Sequence, residues 1–239
     1  MYLTTEAIVL QLYPYKDNSA IVKLYTQQSG LISCWAASVH KKTSKTRASL
    51  LQPLSLIKAE ISHKENNNLV QLKEAEQTIH TPGIALNIEK SSIAIFLAEL
   101  LLNVLKESSH DEWLFTFIKD SILLLDATKE KCANFHLLFL VRLADHLGLL
   151  PKDNHSADMP YFNLEEGIFQ QSVPMHPFFL SPVESEWLNT LSALPLERFY
   201  EPVIPSNDRK QLLHGLIKYF EIHLAMQPLK SHLVLEEVF

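Results

Sequence analysis

Apolar and polar residues alternate along the first eighty positions. Ala20, Val22 and Leu24 alternate with Ile21, Lys23 and Tyr25, and Leu54 and Leu56 alternate with Ser55 and Ile57. A period of two marks a strand with one buried face. Turn-forming residues separate the runs at Asp17-Asn18-Ser19, Gln28-Ser29-Gly30 and Asn66-Asn67-Asn68. The pattern predicts five strands, at 5–13, 19–26, 31–38, 50–61 and 69–75. Five short antiparallel strands suit a small closed barrel of the OB-fold kind.

The period changes after Thr81-Pro82-Gly83. Ser91 or Ser92 can cap a helix running to about Leu105, and Asp111 can cap a second through Leu125. A third helix runs from about Cys132 to Leu147 and stops at Gly148, with Pro151 beyond. The first and third are apolar nearly all round, which predicts positions in the middle of a bundle. Eight of the twelve prolines fall in 151–205, so that stretch reads as largely irregular, with one helix near Val183–Leu194. A last helix starts near Ser206, carries the stripe Leu213, Leu216, Ile217, Phe220 and Leu224, and ends by Pro228. The fold class is therefore α+β: a five-stranded OB-fold barrel at 1–80, then an all-α helical domain at 81–239.

The 239 residues are 47% hydrophobic and 20% charged, ordinary for a folded chain. The longest dense apolar stretch, Ile93 to Leu105, is too short to span a bilayer. The N-terminus shows no secretory signal, and only two cysteines occur, Cys34 and Cys132. A reducing cytoplasm, with no membrane, is the expected location. Net charge is −6, unevenly spread. Residues 1–80 hold nine Lys and Arg against six Asp and Glu, whereas 81–239 hold twelve against twenty-one. A basic first third suggests a face for polyanions.

Much chemistry is missing. With five glycines, the closest pair nineteen residues apart, neither a glycine-rich phosphate loop nor a GxSxG elbow can be written. There is no HExxH, and no two histidines stand four apart. Cys34 sits in a strand pattern and reads as a buried structural thiol. These absences point away from an enzyme and from any cofactor.

What is present is a basic segment, Val39-His40-Lys41-Lys42-Thr43-Ser44-Lys45-Thr46-Arg47, between the third and fourth strands. Cations attract phosphates in a salt-dependent way, and hydroxyls add hydrogen bonds to them. Tyr13, Tyr15, Tyr25 and Trp35 are candidates for stacking with bases, or for the barrel core. From charge alone, a phosphate-binding loop and a merely solvated one weigh equally. Lys210, His214 and Lys218 share a face of the last helix and form a second, weaker basic candidate.

These residues resemble a family. Thr5-Glu6-Ala7-Ile8-Val9-Leu10, Asp17-Asn18-Ser19-Ala20-Ile21-Val22 and Leu24-Tyr25-Thr26 to Gly30 are similar to the opening of the RecO recombination mediators. So are the basic loop with Leu51-Gln52-Pro53-Leu54-Ser55, and Leu72-Lys73-Glu74-Ala75-Glu76. Near the C-terminus, Tyr219, His223-Leu224 and Pro228-Leu229-Lys230-Ser231 resemble the closing motif. The likeness spans the chain.

The resemblance implies binding of single- and double-stranded DNA, annealing of complementary strands, partnership with RecR, displacement of single-strand-binding protein and loading of RecA. It puts DNA contacts at Lys41, Lys42, Lys45, Arg47 and Lys230. One departure stands out: between Leu150 and Pro182 there is no cysteine, only His155 and His176. The four-cysteine zinc module of many members cannot form, so no metal is expected. Tyr161 to Phe169 and Phe178-Phe179-Leu180 are expected to pack apolar side chains there instead. A protein-interaction adaptor with little DNA affinity, and an RNA-binding barrel protein, remain as alternatives.

Overall fold

The computed structural model describes residues 2–16, 18–62, 69–105 and 110–239. Asp17 of the first predicted turn, and the turn predicted at Asn66-Asn67-Asn68, lie outside them. The chain forms two compact units, 1–127 and 128–239. The change from strands to helices near residue 80 falls inside the first.

Five strands, β1 (Tyr2–Tyr15), β2 (Ser19–Thr26), β3 (Gly30–Ala36), β4 (Leu56–Ser62) and β5 (Val70–Ile79), close a barrel in the order β1-β2-β3-β5-β4. Every junction is antiparallel except the parallel β3–β5 one. This is the OB-fold barrel predicted from the alternation. Its core is small-sided: Ala7, Ala20, Ala36 and Ala59 are buried beside Val22, Leu24 and Ile61, which lets a narrow barrel close. β1 outruns its predicted span because it pairs twice. Tyr2 to Ile8 face β4, Ala7 to Tyr15 face β2, and the register shifts between Val9 and Gln11. β4 starts at Leu56 rather than 50. Pro53 has no amide hydrogen for a ladder, and Leu54 takes a left-handed φ of 59°.

Three helices complete the first unit: α1 (Pro82–Leu86), α2 (Ile88–Val104) and α3 (Glu112–Ala127). Asn87, not a serine, caps α2: its Oδ1 accepts from the Lys90 amide at 3.0 Å. Ser91 and Ser92 instead donate their hydroxyls to the Ile88 carbonyl, inside the helix. Asp111 caps α3 as predicted, accepting from the Leu114 amide at 2.9 Å. Buried Lys90 extends to the Asp126 carbonyl at the C-terminal end of α3, 2.8 Å away, where the helix dipole favours a cation. The helices are tied to the barrel by Tyr25 against Phe115, with ring centroids 5.8 Å apart, and by Lys119 bonded to Glu6 at 2.6 Å. The all-apolar α2 is thus covered by β1 of the barrel as well as by helices.

The second unit holds α4 (Phe135–His146), strands β6 (Tyr161–Asn163), β7 (Ile168–Gln170) and β8 (Phe179–Leu180), then α5 (Pro182–Ser192), α6 (Ser206–Leu224) and α7 (His232–Val238). Buried α4 is central to it and stops before Gly148, whose φ of +70° suits glycine. Proline density predicts irregular chain over 151–205, yet β7, β6 and β8 form an antiparallel sheet there. These prolines stand between elements or at the start of one: Pro160 before β6, Pro174 and Pro177 between β7 and β8, and Pro182 in the first turn of α5. Strands of two or three residues are too short to show a period. Phe162, Leu164, Phe169 and Leu180 are buried, so the sheet packs through apolar side chains. It sits so close to α6 that a Cβ on Gly215 would stand 2.2 Å from Leu180 Cδ2. Among the described residues, no helix is long and apolar enough to cross a membrane.

Candidate nucleic-acid interface

The basic segment leaves β3 and is pinned to the barrel at several points. Val39 is buried, its amide donates to the Asn18 carbonyl at 3.0 Å, and its carbonyl accepts from the Ala48 amide at 2.8 Å. Ser38 makes the entry turn at φ 56°. Ser44 and Thr46 were candidates for hydrogen bonds to phosphate, but both turn inward. Thr46, 3% exposed, donates to the Ala37 carbonyl at 2.8 Å, and Ser44 Oγ accepts from the Thr46 amide at 3.2 Å. The Lys45 carbonyl accepts from the Ala75 amide of β5 at 3.0 Å. Only Thr43 of the three hydroxyls is exposed.

Held in this way, the loop turns Lys41, Lys42, Lys45 and Arg47 outward, all four exposed. Lys45 pairs with Glu74 of β5 at 2.7 Å. Lys41, Lys42 and Arg47 make no ion pair among the described residues. The segment therefore presents cations on a fixed backbone, which lowers the ordering cost of binding a polyanion. A cavity of about 620 Å³ lined by Gln52, Pro53, His80, Thr81, Ile84 and Ile95 belongs to the same unit, but none of the four cations lines it.

The aromatic candidates divide. Tyr25 is 2% exposed, packs on Phe115 and belongs to the core. Its hydroxyl is pushed up to about 12, by burial first and by nearby Asp111 second. Tyr13 and Tyr15 are exposed and Trp35 is half-buried. Register puts Tyr13 opposite Ile21, and Ile21 opposite Trp35, in one row across β1, β2 and β3. The intervening positions Ala20, Val22, Cys34 and Ala36 are buried, so this row lies on the outer face. Cys34 is fully buried, and its thiol is pushed up to about 12 by burial, which suits a structural role.

Lys230 belongs to the second unit and is exposed in the turn before α7. Its motif neighbours have structural work. Tyr219 donates to the Leu149 carbonyl and His223 bonds the Leu164 carbonyl, both at 2.8 Å. In the second basic candidate, on α6, Lys218 pairs with Glu221 at 3.1 Å and His214 is hydrogen-bonded to Glu236 at 2.6 Å. The outer aromatic row needed strand register to be seen, because the alternation alone left all four aromatics between base stacking and the barrel core.

Barrel order, anchored basic loop and following helical region define an OB-fold protein with a helical C-terminal part. The family Recombination protein O N terminal matches residues 1–80, and Recombination protein O C terminal matches residues 85–233. The chain is 33% identical over 240 residues to DNA repair protein RecO of Azobacteroides pseudotrichonymphae, covering all of both chains. It is 35% identical over 243 residues to DNA repair protein RecO of Bacteroides fragilis, and 32% over 242 to that of Flavobacterium psychrophilum, again covering all of each. The chain belongs to the RecO family of DNA repair proteins.

Proposed function

We propose that this chain is a non-enzymatic DNA-binding mediator of recombinational repair. It binds single- and double-stranded DNA, anneals complementary strands and, with RecR, helps load RecA onto DNA coated by single-strand-binding protein. The observation that carries the reading is the anchored loop with Lys41, Lys42, Lys45 and Arg47 all exposed. The outer row Tyr13, Ile21 and Trp35 adds flat apolar surface for unstacked bases. Lys230 is a further contact in the second unit, and its substitution is expected to have the smaller effect.

The test is strand annealing by the wild type beside a variant with Lys41, Lys42, Lys45 and Arg47 all changed to Ala. Annealing is expected to fall strongly; equal rates would remove the loop from the mechanism. Four phosphate contacts on single strands predict a log K against log salt slope of about −3.

One observation favours a protein-interaction adaptor with little DNA affinity: on α6, Lys218 is paired with Glu221 and His214 is bonded to Glu236. Binding to labelled single-stranded DNA that is absent at low salt, or indifferent to salt, would select the adaptor. Matched DNA and RNA oligonucleotides separate the mediator from an RNA-binding barrel protein, which shares its electrostatics.

A further inference from the structure

We propose that His214, His232 and Glu236 form a binding site for a divalent transition-metal ion of the zinc class. His214 belongs to α6, and His232 and Glu236 stand four apart on α7, so one turn of α7 turns both toward one side. One ligand atom from each of the three side chains lies within 4.8 Å of the other two. His214 Nε2 and Glu236 Oε1 are already 2.6 Å apart. The two imidazoles stand 5.8 Å apart and nearly perpendicular, at 83°. Tetrahedral zinc with bonds of about 2.0–2.1 Å puts its ligand atoms roughly 3.3 Å apart. Binding an ion therefore asks the side chains to rotate until the three ligand atoms take that spacing.

A second observation points to a ligand. His232 Nδ1 is shut off from water and has no hydrogen-bond partner. Buried ring nitrogens are nearly always satisfied, and an orphan calls for an explanation such as an ion. Two imidazoles and a carboxylate favour zinc, cobalt, nickel or copper over magnesium or calcium. Three protein ligands leave a fourth position for water.

The two helices do not depend on the triad to meet. Leu235 of α7 is buried. The Phe239 carbonyl accepts from Ser206 Oγ at 2.9 Å and Arg209 Nη2 at 3.0 Å, and the Phe239 ring stacks on His136 at 5.9 Å. The ligands are thus brought together before any ion arrives. Two cations flank His214 on α6, one turn to each side. Lys218 is bonded to Glu221, and Lys210 lies beside Glu236 along a shared crevice. The site is a clasp from α7 to α6. It runs against the expectation of a metal-free chain, which considered the missing cysteines and the two histidines between Leu150 and Pro182 rather than this part of the chain. The three ligands, spaced eighteen and four residues apart, match no zinc motif. The inference is independent of the DNA-binding reading.

The experiment uses the full chain stripped with a chelator, then titrated with Zn²⁺ and separately with Co²⁺. The wild type should take up one equivalent, show the intense visible absorption of tetrahedral Co²⁺, and gain several degrees in Tm with Zn²⁺. His214→Ala with Glu236→Gln, and His232→Gln alone, should lose all three responses, while His40→Ala keeps them. No uptake, or uptake and Co²⁺ spectra unchanged in these variants, overturns the site. If a variant fails to fold, the wild-type Co²⁺ spectrum decides, because a weak octahedral spectrum also overturns it.

Discussion

Lys45 Nζ lies 2.7 Å from Glu74 Oε2, and the same two stretches are joined again where the Ala75 amide donates to the Lys45 carbonyl at 3.0 Å. β5 thus holds both the backbone and one charge of the basic loop. The backbone bond fixes the position, whereas the ion pair is exposed and exchangeable.

Glu74→Gln should therefore strengthen DNA binding. An exposed pair contributes only about 0–1 kcal/mol, so phosphate can displace it at small cost. Single-strand affinity at low salt is expected to rise about two- to threefold, with a slope against log salt steeper by at most about 0.7. Fluorescence anisotropy over a salt series reads both. A loss of affinity would mean that Glu74 positions Lys45 rather than competing for it.

Trp35→Ala tests the outer row. Stacking contributes about 1–3 kcal/mol per base, or roughly five- to more than a hundredfold in Kd. Weaker binding of single strands with an unchanged salt slope is expected, because no charge is removed. Duplex binding should change far less. Equal single-strand affinity would show that the row serves only the barrel.

Thr46→Val keeps the shape of a buried side chain and deletes its hydrogen bond to the Ala37 carbonyl. Loss of that bond should cost about 1–3 kcal/mol, because the carbonyl and its surroundings lose a buried donor. Chemical denaturation measures the loss. DNA affinity should fall with all four cations still present, which separates presentation of charge from charge itself.

His136 is fully buried on α4, and burial first, with Arg209 second, pushes its ring down to about 3. The native state keeps it neutral while the unfolded chain protonates it near the ordinary value of about 6.5. Below about pH 6.5 the unfolded state holds the extra proton, so stability falls as pH drops toward 3, by at most about 1.4 kcal/mol per unit from this group. Above that range the group has no effect. His136→Phe should flatten the acid limb of Tm against pH between 6.5 and 4. An unchanged limb would show that other groups control it.

Much of the fold was legible. Period two and turn chemistry placed all five strands, and Asp111 and the Gly148 stop marked their helix ends correctly. The misses have local causes. Asn87 took the cap of α2, because its side-chain oxygen reaches the Lys90 amide. Pro53 and the left-handed Leu54 delayed β4. The small sheet escaped notice because its strands are shorter than one detectable period, and its prolines read as breakers rather than punctuation.

By itself, the sequence determined the strand and helix inventory, the barrel class, the position of the cationic loop and the family resemblance. Each is carried by neighbouring residues: periodicity sets which face is apolar, and turn sterics set where the chain reverses. Tertiary structure alone decided what converges. It turned Ser44 and Thr46 inward, aligned Tyr13 with Trp35 across two strand registers, sank Tyr25 against Phe115, and brought His214 to His232 and Glu236. Contacts between distant residues follow from packing and register, and neither is written in a window of adjacent side chains.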